Sequence, residues 1–218
     1  MTNIDDAKKI KRNVRLVILG VLTFSAITIG ALVNKLSQPR VLNKYELRDY
    51  GALLLEEARP LVDFELVDQS GGVFNRQRLM GKWTVVFFGF THCGDICPTT
   101  MAELAKTYTE LKPVEQQDFN VVFVTVDPDR DTLPVLKEYI TKYHQDFVAL
   151  SGETSALINF ASQVNVAYRP PLPGEQAEPQ HSGNLVLVNP DGELQGFFRP
   201  PFAHGSLRVV WRSLRATF

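Results

Sequence analysis

Trp83 to Phe90 reads WTVVFFGF, and Thr91 to Pro98 continues THCGDICP. The first half is an unbroken apolar run rich in β-branched and aromatic residues, the pattern of a strand buried on both faces. Pro98 suits the first turn of a helix, and Met101, Leu104, Ala105, Tyr108 and Leu111 recur behind it at helical spacing. Cys93 and Cys97, the only two cysteines of the chain, therefore fall in the connection at the carboxyl end of a strand. Ligands gather at that edge in open α/β sheets.

The pattern repeats on the carboxyl side. Asn120 to Val126 (NVVFVTV) predicts a second buried strand, followed by the polar run Asp127 to Asp131 and a helix bearing Leu133, Leu136, Tyr139 and Ile140. Such a βαβα order implies parallel strands. Phe147 to Leu150 predicts a short strand, Thr154 to Gln163 a helix, and Arg169 to Gln180 a proline-rich irregular stretch ending at His181. Leu185 to Val188 and Leu194 to Phe198 flank Asn189-Pro190-Asp191-Gly192 as a hairpin, and Ser206 to Arg215 closes the chain as a helix. On the amino side, Val62 to Val67, the turn residues Gln69 to Gly72 and Val73-Phe74 predict another hairpin. The sum is an α/β domain over 61–218, a central mixed sheet flanked by helices in the thioredoxin-like arrangement.

Before it lie three segments: a cytoplasmic amino terminus over 1–15, a membrane-spanning helix over 16–33, and a linker over 34–60. Leu16 to Val33 holds no charged residue and is about as long as the ~18–20 residues that cross a bilayer. Thr23, Ser25 and Thr28 can return their hydroxyls to the helix backbone. The run exceeds the ~7–15 residues of a signal-peptide core, which favours an uncleaved anchor. Lys8, Lys9, Lys11, Arg12 and Arg15 precede it and fewer basic residues follow, so the amino terminus stays inside. Asp5 and Asp6 argue against a mitochondrial transit peptide. The expected location is a bacterial inner membrane, crossed once, with the carboxyl-terminal domain in the periplasm. Leu36 to Pro60 reads as a tether docked loosely on the domain. Setting aside Asp5, Asp6 and the six basic residues up to Lys35 leaves 17 Lys and Arg against 22 Asp and Glu, which excludes a nucleic-acid surface.

The cysteine pair admits three uses. As a staple it would close a loop worth only about 2 kcal/mol, little for a chain that is 44% hydrophobic. With Cys97 opening a helix, the free amide groups there favour thiolates, which attack disulfides and also bind soft metals. On a regular helix the two Cα atoms would stand about 6 Å apart, which suits a disulfide and a shared ion alike. His144 and His204 have ordinary places at helix ends, and His92 adjoins Cys93 in a way that turns its ring from whatever the sulfur binds. His181 ends an irregular loop from which it can swing over the cysteines. Two thiolates and one imidazole suit copper in either oxidation state, whereas a closed zinc site wants four ligands. In Asp127 to Asp131, Asp-Pro breaks the strand and Asp131 or Thr132 caps the next helix, with Asp127 near the cysteine edge.

Gly89 to Pro98 (GFTHCGDICP), Asp127 to Thr132 (DPDRDT) and His181-Ser182 with the NPDG hairpin together resemble the Sco/SenC proteins, from about Val62 onward. That resemblance implies a thioredoxin-like fold on a membrane tether and a role in assembling the dinuclear copper centre of cytochrome c oxidase subunit II. It implies copper held by Cys93, Cys97 and His181 and received from an upstream periplasmic donor. It also leaves open a thiol:disulfide reductase with a redox-active Cys93–Cys97 disulfide, acting on the oxidase's copper-site cysteines. Peroxide reduction or signalling is a third use of such a domain. Gly94 departs from the family, where a proline is common.

Overall fold

The computed structural model describes residues 4–37, 41–171 and 177–217. The chain falls into two units, Met1–Arg40 and Val41–Phe218. The first is the helix α1 (Ile4–Ser37), long and apolar enough to cross a membrane. Within it the Thr23 and Thr28 hydroxyls donate to the carbonyls of Leu19 and Phe24, as their place in an apolar run requires.

The second unit begins with α2 (Lys44–Asp49) and β1 (Ala52–Pro60), then β2 (Glu65–Asp68) and β3 (Val73–Asn75). The cysteine-bearing connection joins β4 (Trp83–Gly89) to α3 (Ile96–Thr109); α4 (Pro113–Gln116), β5 (Phe119–Thr125), α5 (Leu133–Thr141), β6 (Val148–Ser151) and α6 (Thr154–Gln163) follow. The chain ends with β7 (Tyr168–Arg169), β8 (Gln180–His181), β9 (Leu185–Val188), β10 (Glu193–Phe198) and α7 (His204–Thr217). Eight strands form one sheet in the order β1-β10-β9-β4-β5-β6-β2-β3. Only β4, β5 and β6 run parallel, and the hairpins on either flank add antiparallel strands.

All seven residues of β4 are buried, and they alternate between two cores. Val85 and Phe87 face Val121, Phe123 and the apolar sides of α3, α5 and α7. Val86 and Phe88 face Val122, Val124 and α6. Leu207, Val210, Trp211 and Leu214 of α7 supply the buried stripe that their spacing predicts, and Trp211 packs 4.7 Å from Phe119.

Two stretches differ from their sequence reading. The second half of the expected tether is not loosely docked: Ala52–Pro60 is the edge strand β1, paired with β10 from Ala52↔Phe198 to Pro60↔Glu193. Its apolar residues Leu53 to Leu55 are few, and a backbone ladder is what holds it, which hydropathy does not register. The proline-rich stretch lies partly outside the described residues, at 172–176, and its ends pair with each other as β7 and β8, Tyr168↔His181 and Arg169↔Gln180.

The β1–β10 contact rests on Gly196, where an added Cβ would collide with the carbonyl oxygen of Leu53 and stand 2.9 Å from the Leu54 Cα. Gly196→Ala is expected to cost about 1–3 kcal/mol by overpacking. Urea unfolding measures the loss, and hydrogen exchange should show faster opening at Ala52 to Leu54 first.

Candidate metal centre

β4 ends at Gly89, whose carbonyl accepts from Val126 N at 2.9 Å, so the chain leaves the sheet at the carboxyl edge of two adjacent parallel strands. Cys93 N then donates back to Phe90 O at 3.2 Å, closing a turn, and α3 starts three residues after Cys93. Asp95 stands at the N-cap without a side-chain capping bond. In its place the Cys93 sulfur accepts from Cys97 N at 3.4 Å, satisfying one of the helix's free amide groups. The expectation that Cys97 opens the helix and Cys93 lies before it holds.

Both cysteines are free thiols, and they differ in setting. Cys97 is fully buried. Its thiol is pushed up to about 12, by burial first and then by the Cys93 sulfur and the Asp131 charge. Cys93 is only half-buried; partial burial opposes its ionisation, but the Cys97 thiol and the amide groups of Cys97, Asp95 and Ile96 outweigh this and hold its pKa below the usual value. Cys93 is therefore the sulfur that ionises first and the one that solvent reaches. An added Cβ at Gly89 would come 2.9 Å from the Cys97 sulfur and 3.0 Å from the Phe123 ring, so only glycine leaves room for that sulfur against the strand.

The structure places His181 elsewhere. Its ring meets Phe90 edge-on, centroids 6.2 Å apart, and Nδ1 lies 3.2 Å from the Ser182 carbonyl oxygen. A carbonyl only accepts, so Nδ1 carries the proton and Nε2 keeps the lone pair. Burial pushes the His181 pKa down, with the Ser182 contact opposing, and a neutral ring is what a metal needs. Phe90 thus touches this imidazole with its ring and closes the turn to Cys93 with its carbonyl. Among the described residues, no three of Cys, His, Asp and Glu are close enough together to hold a metal ion. The pair Cys93–Cys97 is assembled, and His181 is not yet part of it.

Sequence reading missed the group that secures the connection. Asp131 is not a cap; the N-cap of α5 is Thr132, and neither side chain bonds the helix amides. The Asp131 carboxylate points inward, wholly buried, and accepts from Thr91 N at 3.1 Å, the Thr91 hydroxyl at 2.5 Å and the Thr125 hydroxyl at 2.6 Å. Three donors offset the cost of burying the charge. The signal available was Thr125, a hydroxyl that follows the apolar run Val121 to Val124 and needs a buried partner. Asp127 lies at the same edge, as expected, and pairs with Arg130, whose guanidinium covers the Phe90 ring at 5.9 Å. His144 packs 4.5 Å from Tyr108, and His204 bonds Glu103, so both serve structure.

The sequence pattern of the SCO1/SenC family matches residues 55–209. The chain belongs to that family. A protein of Stutzerimonas stutzeri named for copper binding is 38% identical over 159 residues, 72% of this chain and 78% of that one. The crystal structure of Arabidopsis thaliana ScoI with copper bound is 30% identical, with a TM-score of 0.66 over 72% of this chain and 98% of that one. The apo Sco1 protein of Thermus thermophilus is 33% identical, with a TM-score of 0.67 over 78% and 96%. The thioredoxin-like α/β fold is thereby shared with Sco proteins, one of the two above being a copper-bound structure.

The thiol asymmetry gives a direct expectation. Iodoacetamide at neutral pH should alkylate Cys93 and leave Cys97 unmodified in the folded, reduced chain, read by peptide mass spectrometry. Equal labelling of both would show that burial does not protect Cys97.

Proposed function

We propose that this domain is a copper-binding metallochaperone of the Sco/SenC family, which takes copper from an upstream periplasmic donor and helps assemble the dinuclear copper centre of cytochrome c oxidase subunit II. Cys93 and Cys97 supply two thiolates and His181 Nε2 supplies the third ligand. The observation that carries this reading is the assembled sulfur pair beside a helix amino terminus, in a chain of a family with copper-bound members. Two soft sulfurs and one imidazole suit copper as a cargo, because a three-ligand set with an open side lets an acceptor's ligand enter before the last protein ligand leaves.

The local chemistry fits that use. Cys93 ionises first and meets the ion; binding then draws the proton from Cys97, whose thiol resists ionisation without a metal. His181 is already neutral, with its lone pair on Nε2, and joins when β8 leaves its two-residue pairing with β7. α1 serves as an uncleaved single-pass anchor in a bacterial inner membrane, with the domain in the periplasm; its length, its apolar run and the basic residues before it support this.

The thiol asymmetry also favours a second reading, a thiol:disulfide reductase. There the Cys93 thiolate attacks a substrate disulfide and forms a mixed disulfide. Cys97 then displaces the substrate thiolate, so two electrons pass to the substrate and a Cys93–Cys97 disulfide remains.

One variant separates the two. The reduced wild-type chain should bind about one copper ion, and His181→Ala should lose more than about tenfold in affinity while reducing a model disulfide at the wild-type rate. Full copper affinity in that variant would count against His181 as a ligand, and a wild-type chain that reduces the disulfide but binds no copper would favour the second reading.

A further inference from the structure

The buried Asp131 carboxylate acts beyond its own bonds, through Thr91. The Thr91 hydroxyl gives its single proton to Asp131 Oδ1 at 2.5 Å. The same oxygen lies 3.1 Å from His92 Nδ1, where, its proton spent, it can only accept. His92 Nδ1 must then carry the ring proton, and Asp131 Oδ1 stands 3.8 Å from that nitrogen. In the neutral ring the lone pair is left on Nε2.

This is how metal-ligating imidazoles are oriented: one nitrogen donates toward a carboxylate or an acceptor backed by one, and the other is presented. The His92 side chain is 55% exposed, and among the described residues no hydrogen bond engages its Nε2. Its neighbour in the chain is Cys93, the more accessible sulfur, whereas Cys97 is fully buried and His181 half-buried against Phe90. An ion arriving from solvent meets His92 and Cys93 before it meets the other two.

We infer that His92 is a capture ligand, whose Nε2 takes a copper ion from an external donor and passes it to Cys93, with Thr91 and Asp131 as positioning residues that keep that nitrogen presented. This rests on the copper reading above and adds a residue outside the proposed resident set. Each transfer is a ligand exchange without change of copper valence: the bond from copper to the donor's ligand breaks as the bond to Nε2 forms, and the Nε2 bond breaks as sulfur takes its place. In the loaded site the ring stays turned from the ion that the sulfurs hold, as its place beside Cys93 leads us to expect; its contact with copper is confined to the encounter, so His92 sets the rate of loading and leaves the final affinity nearly untouched.

The test uses the full reduced chain in detergent micelles, with Cu(I) held by bicinchoninate as donor. Stopped-flow absorbance gives the uptake rate, and equilibrium competition gives the affinity. His92→Ala is expected to load about tenfold more slowly, with affinity within about twofold of wild type. Thr91→Val keeps the imidazole and removes the relay, so it should slow loading to a lesser degree, its fold checked by circular dichroism. A copper-free readout accompanies these: long-range proton–nitrogen NMR of His92 should show the Nδ1–H form in wild type and a mixture with Nε2–H in Thr91→Val. Equal loading rates for wild type and His92→Ala would overturn the inference, as would an Nε2–H ring in wild type. An affinity loss as large as that of His181→Ala would also overturn it, by making His92 a resident ligand. A wild-type chain that binds no copper would instead sink the copper reading itself, an outcome distinct from equal loading rates.

Discussion

Strand β4 is buried on both faces and hydrogen-bonded on both edges, parallel to β5 from Trp83↔Phe119 to Gly89↔Thr125 and antiparallel to β9 from Thr84↔Val188 to Phe87↔Leu185. A backbone removed from water must pair every polar group, so neither edge can be given up cheaply. A slip by one residue would also exchange Val85 and Phe87 with Val86 and Phe88 between two differently shaped cores. The point where the chain leaves the sheet is thereby fixed at Gly89. Both sulfurs follow within the next eight residues, after the turn at Phe90 and the Thr91 anchor, with Cys97 at the start of α3.

Given that fixed exit, the two sulfurs differ without any difference in residue type. Cys97 lies over the glycine and beside Phe123, in apolar surroundings near a buried negative charge, and both suppress its ionisation. Cys93 lies over the helix amides, which favour a thiolate. One sulfur is held ready and the other in reserve, and the carboxylate that restrains Cys97 is the same one that ties the connection to β5 through Thr91 and Thr125. A single buried charge thus ties the connection down and adds, after burial and the Cys93 sulfur, to the suppression of Cys97.

Much of this was legible from residue pattern. The parallel strands, the helices after them, both hairpins and the place of Cys93 and Cys97 followed from apolar runs and turn residues, because those elements owe their form to burial. β1 was not legible, since an edge strand is selected by backbone pairing and close approach at Gly196, not by its own hydropathy. Of the two cap candidates, Thr132 holds the N-cap position, and Asp131 could not be told from it because an acidic residue before a helix carries the same signature whether it turns outward to the amides or inward to buried hydroxyls. His181 was placed by chain position at the end of a loop, but its pairing with Tyr168 joins residues 13 apart across a proline-rich stretch whose composition conceals it.

That pairing bears on how such a site would work. Under the copper reading, a move of His181 to the sulfurs that opened this pairing would give up the Tyr168 register and the edge contact with Phe90. Each backbone bond lost costs about 0.5–1.5 kcal/mol and the ring contact a comparable amount, so a total of roughly 2 kcal/mol is subtracted from the intrinsic affinity. Affinity falls by the fraction of molecules in the competent arrangement, and 2 kcal/mol corresponds to about thirtyfold. For a storage site this would be a defect. For a protein that must give its ion away it is an advantage, because the same contacts that resist loading draw His181 back toward Phe90 when an acceptor's ligand enters. The sulfur pair, fixed by β4, holds the ion meanwhile, and the imidazole is the ligand that can be released first.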